Sequence, residues 1–407
     1  MTLSSGASAQ DVLIRGATVH TLEHSQPKTR TDVLVRNGKV AAIGSDLAAP
    51  NAIPIVEANG RPVTPGIFGS LGGLGVDELG QYDSSLRADN SQGVRLHPEF
   101  DASIAFNPRS INIPVARIEG VTWTVLAPGA SDSFMAGQGA AVTLDGATRS
   151  VWPSSTTLFL EMSAASASKF GGSRAAVLMS LQKAFAEARS SGTPGPDSLL
   201  SVDGKKVLAR YLKGGRVVVR VDRAVEISRL IEVSRQIGFK LVIVSGTEAW
   251  MVADELAAAR VPVVLDPLEN LPDGADSLQP RLDNAVLLQK AGVLIAFMVG
   301  KPQTEARKLR QSAGNAVAQG LEWNAALAAI TINPAKIFGV DDQRGSIAVG
   351  KSADLVIWNA DPLDLHSAPD QVWIDGRAMP MESRQTQLRD RYLRSTQRTQ
   401  HSAEGNR

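Results

Sequence analysis

The sequence predicts an α/β protein, in which a (β/α)8 TIM barrel over residues 64–344 joins a small composite β-sandwich domain formed by both chain ends. Two observations support this prediction. The chain ends contain short runs of alternating apolar and polar residues, which are typical of half-buried strands. The middle region instead alternates short apolar runs with amphipathic helical patterns. A doubly wound open sheet is the alternative for this middle region.

The β-rich ends cover residues 11–63 and 345–385. Runs such as DVLIRGATVHTL near the N-terminus and GSIAVGKSADLVIW near the C-terminus have the alternation of strands. Asn37-Gly38 and Asp375-Gly376 predict tight hairpin turns, because these residue types tolerate positive φ. Residues 1–10 are expected to form a flexible N-terminus, and residues 386–407 a polar tail that begins as a helix.

The middle region contains five apolar runs of the kind found in buried parallel strands. They are VTWTVLAP, RVVVRVD, KLVIVSG, VPVVLDP and GVLIAFMVG. Amphipathic helices are predicted between them, and several of these end in a glycine at the C-cap, as at Gly238, Gly292 and Gly320. Strand–helix units over this length favour the barrel.

Composition excludes several classes of protein. The 407-residue chain has a formal net charge of +1 and 5% aromatic residues, so nothing indicates nucleic-acid binding. It contains no cysteine, which excludes disulfides and thiolate ligands. No apolar run is long enough to predict a membrane span. Ala7-Ser8-Ala9 has the form of a signal-peptidase site, which predicts a periplasmic protein, with a cytoplasmic location as the alternative.

Two stretches carry a family resemblance. VTPGIF at residues 63–68 and ALAAITINPAKIFGVDDQRGSIAVGKSADLVIWNADPL at residues 326–363 resemble the first barrel strand and the C-terminal motif of the amidohydrolase superfamily, in particular its imidazolonepropionase-like members. The resemblance implies a TIM barrel with a composite β-sandwich that hydrolyses amide or ester bonds. It also implies zinc or another divalent metal as the cofactor.

The resemblance places the metal ligands at the strand ends, where this chain carries other residues. The family has His-x-His after the first barrel strand, a histidine or carbamylated lysine and a further histidine on later strands, and an aspartate after the last one. The matching positions here are Leu71, Gly73, Arg220, Asp222, Ser245 and Gly300. The sequence therefore predicts that the metal site is vacated, and we predict neither a bound cofactor nor a definite catalytic residue.

Histidines and carboxylates are the residue types that could replace these ligands. The five histidines are His20, His24, His97, His366 and His401, and of these only His97 falls within the predicted barrel. Carboxylates near predicted strand ends are Asp77, Glu78, Asp222, Glu248, Asp266 and Glu269. They predict either an all-oxygen site for Mg²⁺ or Ca²⁺, or acids that cap helix N-termini. Glu248 and Asp266 are also candidates for residues of a pocket.

Arg220 and Asp222 lie two residues apart on a predicted strand and should therefore face the same side. We expect them to form an ion pair that fills the vacated metal site; the alternative is that both are hydrated at the rim. On the first interpretation, removal of Arg220 would destabilise the fold by leaving Asp222 unpaired.

Three functions are compatible with the sequence. The first is a pseudoenzyme that serves as a structural or regulatory partner, either as a homo-oligomer or with a metal-binding amidohydrolase paralogue. The second is a hydrolase that acts on non-peptide carbon–nitrogen bonds or on ester bonds with a rearranged site. The third is a small-molecule binding protein that uses the barrel mouth as a pocket.

Overall fold

The computed structural model describes residues 10–50, 53–76, 96–129, 133–272, 274–300 and 305–393. Several predicted features lie outside these ranges, namely Ala7-Ser8-Ala9, Asp77, Glu78, His401 and the end of the polar tail. Residues 384–393 are helical, as predicted for the start of the tail. None of the described helices has the length and apolarity that crossing a membrane requires.

The strands are numbered in chain order. They are β1 Val12–Val19, β2 Lys28–Arg36, β3 Lys39–Gly44, β4 Ile55–Glu57, β5 Pro62–Pro65, β6 Ile67–Gly72, β7 Val121–Leu126, β8 Met135–Gly139, β9 Ala141–Thr143, β10 Thr157–Glu161, β11 Arg216–Val221, β12 Lys240–Ser245, β13 Val263–Leu265, β14 Ile295–Phe297, β15 Leu355–Trp358, β16 Pro369–Ile374 and β17 Arg377–Ala378.

The helices are numbered in the same way. They are α1 Asn112–Arg117, α2 Ala164–Lys169, α3 Arg174–Arg189, α4 Val202–Tyr211, α5 Ala224–Ile237, α6 Ala253–Ala259, α7 Asn284–Lys290, α8 Leu309–Ala318, α9 Trp323–Ala329 and α10 Ile332–Phe338.

Strands from both chain ends pair in one sheet, in the order β17-β16-β15-β5-β1-β2-β3, with β4 beside β1. The ends meet where β15 pairs antiparallel with β5, with Leu355 opposite Pro65. Both predicted hairpin turns are confirmed, since Asn37-Gly38 has φ values of 50° and 78° and Asp375-Gly376 has 49° and 70°. The proposed division into a sandwich domain and a barrel domain, with its boundaries, stays a prediction.

The middle region forms two further sheets. One has the order β14-β13-β12-β11-β10-β8, in which β10 to β14 run parallel; the other is β6-β7-β9, in which β6 and β7 run parallel. The mixed α/β class is thus confirmed. Among the described strands, however, the sheets are open and do not close into a hydrogen-bonded ring, so the TIM barrel itself is not confirmed.

Single contacts, rather than strand ladders, connect the edges of these two sheets. The backbone N–H of Val299, just after β14, donates to Ser70 Oγ in β6 at 2.9 Å. At the other edge, the N–H of Leu126 in β7 donates to the Ala140 carbonyl, between β8 and β9, at 2.9 Å. The two open sheets therefore adjoin along both edges and enclose a shared apolar core that includes Phe68, Trp123 and Phe297.

The five apolar runs in the middle region became β7, β11, β12, β13 and β14, as predicted. Gly238 ends α5 in the left-handed conformation with φ of 97°, which confirms its C-cap role. The sequence patterns missed β8, β9 and β10, because β8 is glycine-containing MAGQG and β9 is only three residues long. The missed strand β10, TLFLE, ends at a residue that matters for the site.

Candidate functional site

The candidate site lies at the carboxyl ends of the parallel strands, where ligands bind in most α/β folds. β10, β11 and β12 are neighbours there, with Glu161 opposite Arg220 and Arg220 opposite Val244 in the parallel register. Register partners on adjacent parallel strands project to the same face of the sheet. Glu161, Arg220 and Val244 therefore form one row that faces inward.

This row faces a small cavity of about 70 Å³. Its lining residues are Leu71, Ala127, Pro128, Gly129, Ala136, Phe159, Leu160, Glu161, Val218, Arg220 and Val244. Drug-sized ligands generally need cavities of about 300 Å³ or more, whereas one water needs about 10–15 Å³ of such cavity volume. The cavity therefore suits a ligand of only a few heavy atoms.

Two of the predicted vacated positions, Leu71 and Arg220, meet in this cavity. Leu71 is 4% exposed and has no ligating atom. Arg220 is half-buried, and its guanidinium has only N–H donors and no lone pair for a metal. Gly73, buried just beyond β6, has no side chain. These residues do not fit a zinc ion, and a fixed positive charge at this place would repel one.

The expected ion pair between Arg220 and Asp222 is wrong. The Asp222 carboxylate accepts hydrogen bonds from the Thr247 hydroxyl at 2.6 Å and from the Thr247 N–H at 3.1 Å. Within the described part of the chain, the Arg220 guanidinium has no hydrogen bond or ion pair. The reason is that β11 ends at Val221, so Asp222 already belongs to the following loop and no longer follows the strand alternation.

Two of the other predicted carboxylates, Glu248 and Asp266, accept hydrogen bonds from backbone groups in the loops. Glu248 Oε2 accepts the N–H of Ala224 at 3.1 Å, at the N-terminus of α5, so it caps a helix from a neighbouring loop. Asp266 accepts the N–H groups of Leu268 at 3.0 Å and Gly300 at 2.8 Å, which joins the ends of β13 and β14. Neither residue lines the cavity described above, and their role in a pocket stays a prediction.

The remaining predicted positions, Ser245 and Gly300, lie where the backbone conformation or the available space is restricted. Ser245 ends β12 with a positive φ of 76°, a conformation that is uncommon for residues other than glycine. Ser70 in β6 has the same feature, with φ of 72°, while its hydroxyl holds Val299. Gly300 leaves no room for a side chain, because an added Cβ would lie 2.9 Å from Asp266 Oδ2.

The histidines that the structure describes do not come together as metal ligands. His97 Nδ1 lies 3.4 Å from Glu99 Oε1, and His20 packs against Trp323 with ring centroids 4.7 Å apart. Burial lowers the pKa of His20, while the nearby Asp361 opposes this shift. Over all described residues, no group of three or more His, Cys, Asp or Glu side chains is arranged to hold a metal ion.

Sequence reasoning missed Glu161, the other charged residue of the cavity. Its Oε1 accepts a hydrogen bond from the Ser163 hydroxyl at 2.9 Å, and no ion pair within 4 Å joins it to Arg220. An acid at the end of an apolar run, TLFLE, was the available signal. This signal can be used only when TLFLE is recognised as a strand, here β10.

The position of Arg220 allows a direct stability test. Replacing Arg220 with methionine should leave the free energy of unfolding unchanged or raise it by up to about 1 kcal/mol, because it removes an unpaired charge from an apolar-lined cavity. Denaturant unfolding would measure this, with Arg229→Met as the control at an exposed ion pair with Glu232. A loss of more than about 1 kcal/mol relative to that control would contradict the geometry described here.

Comparisons with known proteins agree on one group of relatives. A family model described as "Amidohydrolase family" matches residues 282–379. The chain is 24% identical over 393 residues to amidohydrolase tasK of Hapsidospora irregularis. That match covers 85% of this chain but only 39% of the relative, so the chain spans about two fifths of the relative's length.

Solved structures extend the likeness to nearly the whole chain. The crystal structure of an amidohydrolase from Thermotoga maritima MSB8 is 27% identical, with a TM-score of 0.78, over 91% of this chain and 99% of that one. An adenosine deaminase from Xanthomonas campestris with bound zinc is 19% identical, with a TM-score of 0.53, over 97% of this chain and 100% of that one. The second likeness concerns the fold alone.

Proposed function

We propose that this chain, which belongs to the amidohydrolase superfamily, is a non-catalytic member that serves as a structural or regulatory partner of a metal-binding paralogue. One observation carries the proposal: Leu71 and Arg220 line the cavity at the strand ends, where the family resemblance places metal ligands. A scaffold retained without its site can still provide binding surfaces.

The proposal includes a TIM barrel as the scaffold. Seven of the described strands of the middle region, β6, β7 and β10 to β14, run parallel to at least one neighbour, and helices follow several of them. The contacts of Ser70 with Val299 and of Leu126 with Ala140 bring the edges of the two sheets together. This arrangement supports a barrel that is closed by single hydrogen bonds at the two places where the edges of the sheets meet.

Zinc content tests the loss of the metal site. After incubation with zinc and dialysis, tag-free protein should retain well below one zinc per chain by plasma mass spectrometry, because Leu71 and Arg220 supply no ligand. The zinc-bound adenosine deaminase from Xanthomonas campestris is the positive control. One tightly held zinc per chain that is lost in Asp222→Asn or Glu161→Gln would overturn the proposal.

The partner role needs a separate measurement. The purified chain should co-elute with a histidine-bearing paralogue from the same organism and should change the catalytic rate or thermal stability of that paralogue. Two independent elution peaks and unchanged kinetics would contradict the partner role. Hydrolysis of amides, cyclic ureides or esters by the purified chain alone, abolished in Glu161→Gln, would instead establish the hydrolase alternative with a rearranged site.

A further inference from the structure

The cavity at the strand ends holds two opposite charges that do not pair with each other. Glu161 and Arg220 are register partners on β10 and β11, and both line the cavity. Adjacent strands lie about 4.8 Å apart, which is close enough for such side chains to form an ion pair. Nevertheless, no ion pair within 4 Å joins Arg220 to Glu161, and among the described residues the Glu161 carboxylate accepts a hydrogen bond only from the Ser163 hydroxyl, at 2.9 Å.

The rest of the cavity wall is apolar. Leu71, Ala136, Val218 and Val244 contribute aliphatic surface, and Phe159 contributes an aromatic ring. In such surroundings an unpaired charge is costly unless a partner of opposite charge meets it. Arg220 would therefore favour an anionic group and Glu161 a cationic one, within the same space of about 70 Å³.

We infer that the cavity binds a small zwitterionic α-amino acid, with its carboxylate on Arg220 and its ammonium group on Glu161. A simple carboxylate would bind Arg220 but would be repelled by Glu161. A simple amine would bind Glu161 but would be repelled by Arg220. A zwitterion carries both charges and can therefore meet both side chains at once. The guanidinium fork suits a carboxylate because it offers parallel N–H donors.

The cavity size and wall restrict the side chain of this ligand. One water needs about 10–15 Å³ on the same measure, so a cavity of about 70 Å³ has room for roughly five to seven heavy atoms, and glycine and alanine are the matching probes. The aliphatic wall from Leu71 and Val244 would contact a methyl group and exclude a charged one. Larger amino acids would need a movement of the lining residues.

This inference rests on the proposed loss of the metal site, because a zinc ion and the Arg220 guanidinium would compete for the same place. The experiment is a titration of the tag-free chain with L-alanine, followed by saturation-transfer NMR on the alanine methyl protons. Propionate and ethylamine at matched ionic strength are the single-charge probes. Each titration is run with and without a chelator, which separates the two proposals.

We expect saturable alanine binding that a chelator leaves unchanged and that falls at least tenfold in both Arg220→Met and Glu161→Gln. Arg229→Met, which alters an exposed arginine outside the cavity, should bind as the unmodified chain does. Propionate and ethylamine should bind at least tenfold more weakly than alanine.

Three results would overturn the inference. Absence of saturable alanine binding in a folded protein is the first. Propionate binding as strong as alanine binding, dependent on Arg220 but not on Glu161, would show a plain anion site instead. Alanine binding that disappears with the chelator would show a metal-dependent site, and in that case the proposed function would fail as well.

Discussion

Replacing Arg344 with methionine is expected to lower the free energy of unfolding by about 3–5 kcal/mol, the cost of removing one partner from a buried ion pair. Arg344 is 4% exposed and contacts the Asp354 carboxylate, which is 5% exposed. It also bonds Asp375 at 2.6 Å and lies over the Trp152 ring at 4.4 Å. In the variant, the Asp375 N–H at 2.9 Å is the one hydrogen-bond donor left to the buried Asp354 carboxylate among the residues that the structure describes.

The pH dependence of this loss of unfolding free energy identifies its cause. Burial raises the pKa of Asp354, and the Arg344 guanidinium opposes that rise, so removing Arg344 raises the pKa further. A folded-state pKa above the unfolded value means that stability is lost as pH rises through the folded pKa. The difference between the variant and the unmodified chain should therefore be largest above the raised folded pKa of the variant and should shrink as pH falls towards about 6, the folded-state pKa of Asp354 in the unmodified chain.

Urea unfolding at several pH values would measure the effect. Arg229→Met is the matched control for loss of an exposed arginine, with an expected change of about 1 kcal/mol or less. The double variant Arg344→Met, Asp354→Asn should recover part of the loss, because the unpaired charge is gone. A single-variant deficit that does not change with pH would rule out the unpaired carboxylate as its source.

A second large effect is expected where the two open sheets adjoin. Alanine at Gly139, the last residue of β8, would place its Cβ 1.9 Å from the carbonyl oxygen of Leu126 in β7. Gly139 does not have a positive φ, so the problem is steric and not conformational. Because a backbone oxygen cannot rotate away, the strands must separate, and we expect a loss of stability at the upper end of the usual overpacking range, about 3 kcal/mol.

Thermal and denaturant unfolding of Gly139→Ala would test this close approach of β7 and β8. Gly192→Ala is the control, since a Cβ at Gly192 meets nothing within 4 Å and its φ is not positive. That substitution should be neutral or slightly stabilising through the unfolded state. Equal stability of the two variants would mean that β7 and β8 do not approach as closely as described.

Local patterns in the sequence were enough to identify most of the elements in the middle region. Parallel strands such as β11 and β12 are buried on both faces, so they read as continuous apolar runs bounded by turns. Helix α5 was recognisable from its apolar spacing and from Gly238, which must adopt positive φ. The C-terminal motif was recognisable because the residues that fix its turns, such as Gly345 and Gly350, both have positive φ.

The arrangement of the site was less predictable. The sequence placed Leu71 and Arg220 at strand ends but could not show that they line one cavity, since β6 and β11 lie in different sheets. It paired Arg220 with Asp222 by strand alternation, which fails one residue beyond the strand end. Glu161 was missed because the short strand β10 did not stand out from its surroundings.

By itself, the sequence determined the α/β class, the resemblance to amidohydrolases and the absence of imidazole ligands at the matched positions, because these depend on residue type and local spacing. Only the tertiary structure decided which charges are neighbours. The register of β10 and β11 places Glu161 beside Arg220. The loop after β11 instead places the Asp222 carboxylate where it accepts a hydrogen bond from the Thr247 hydroxyl. Such pairings depend on where strands end and how sheets meet, and residues far apart in the chain set both.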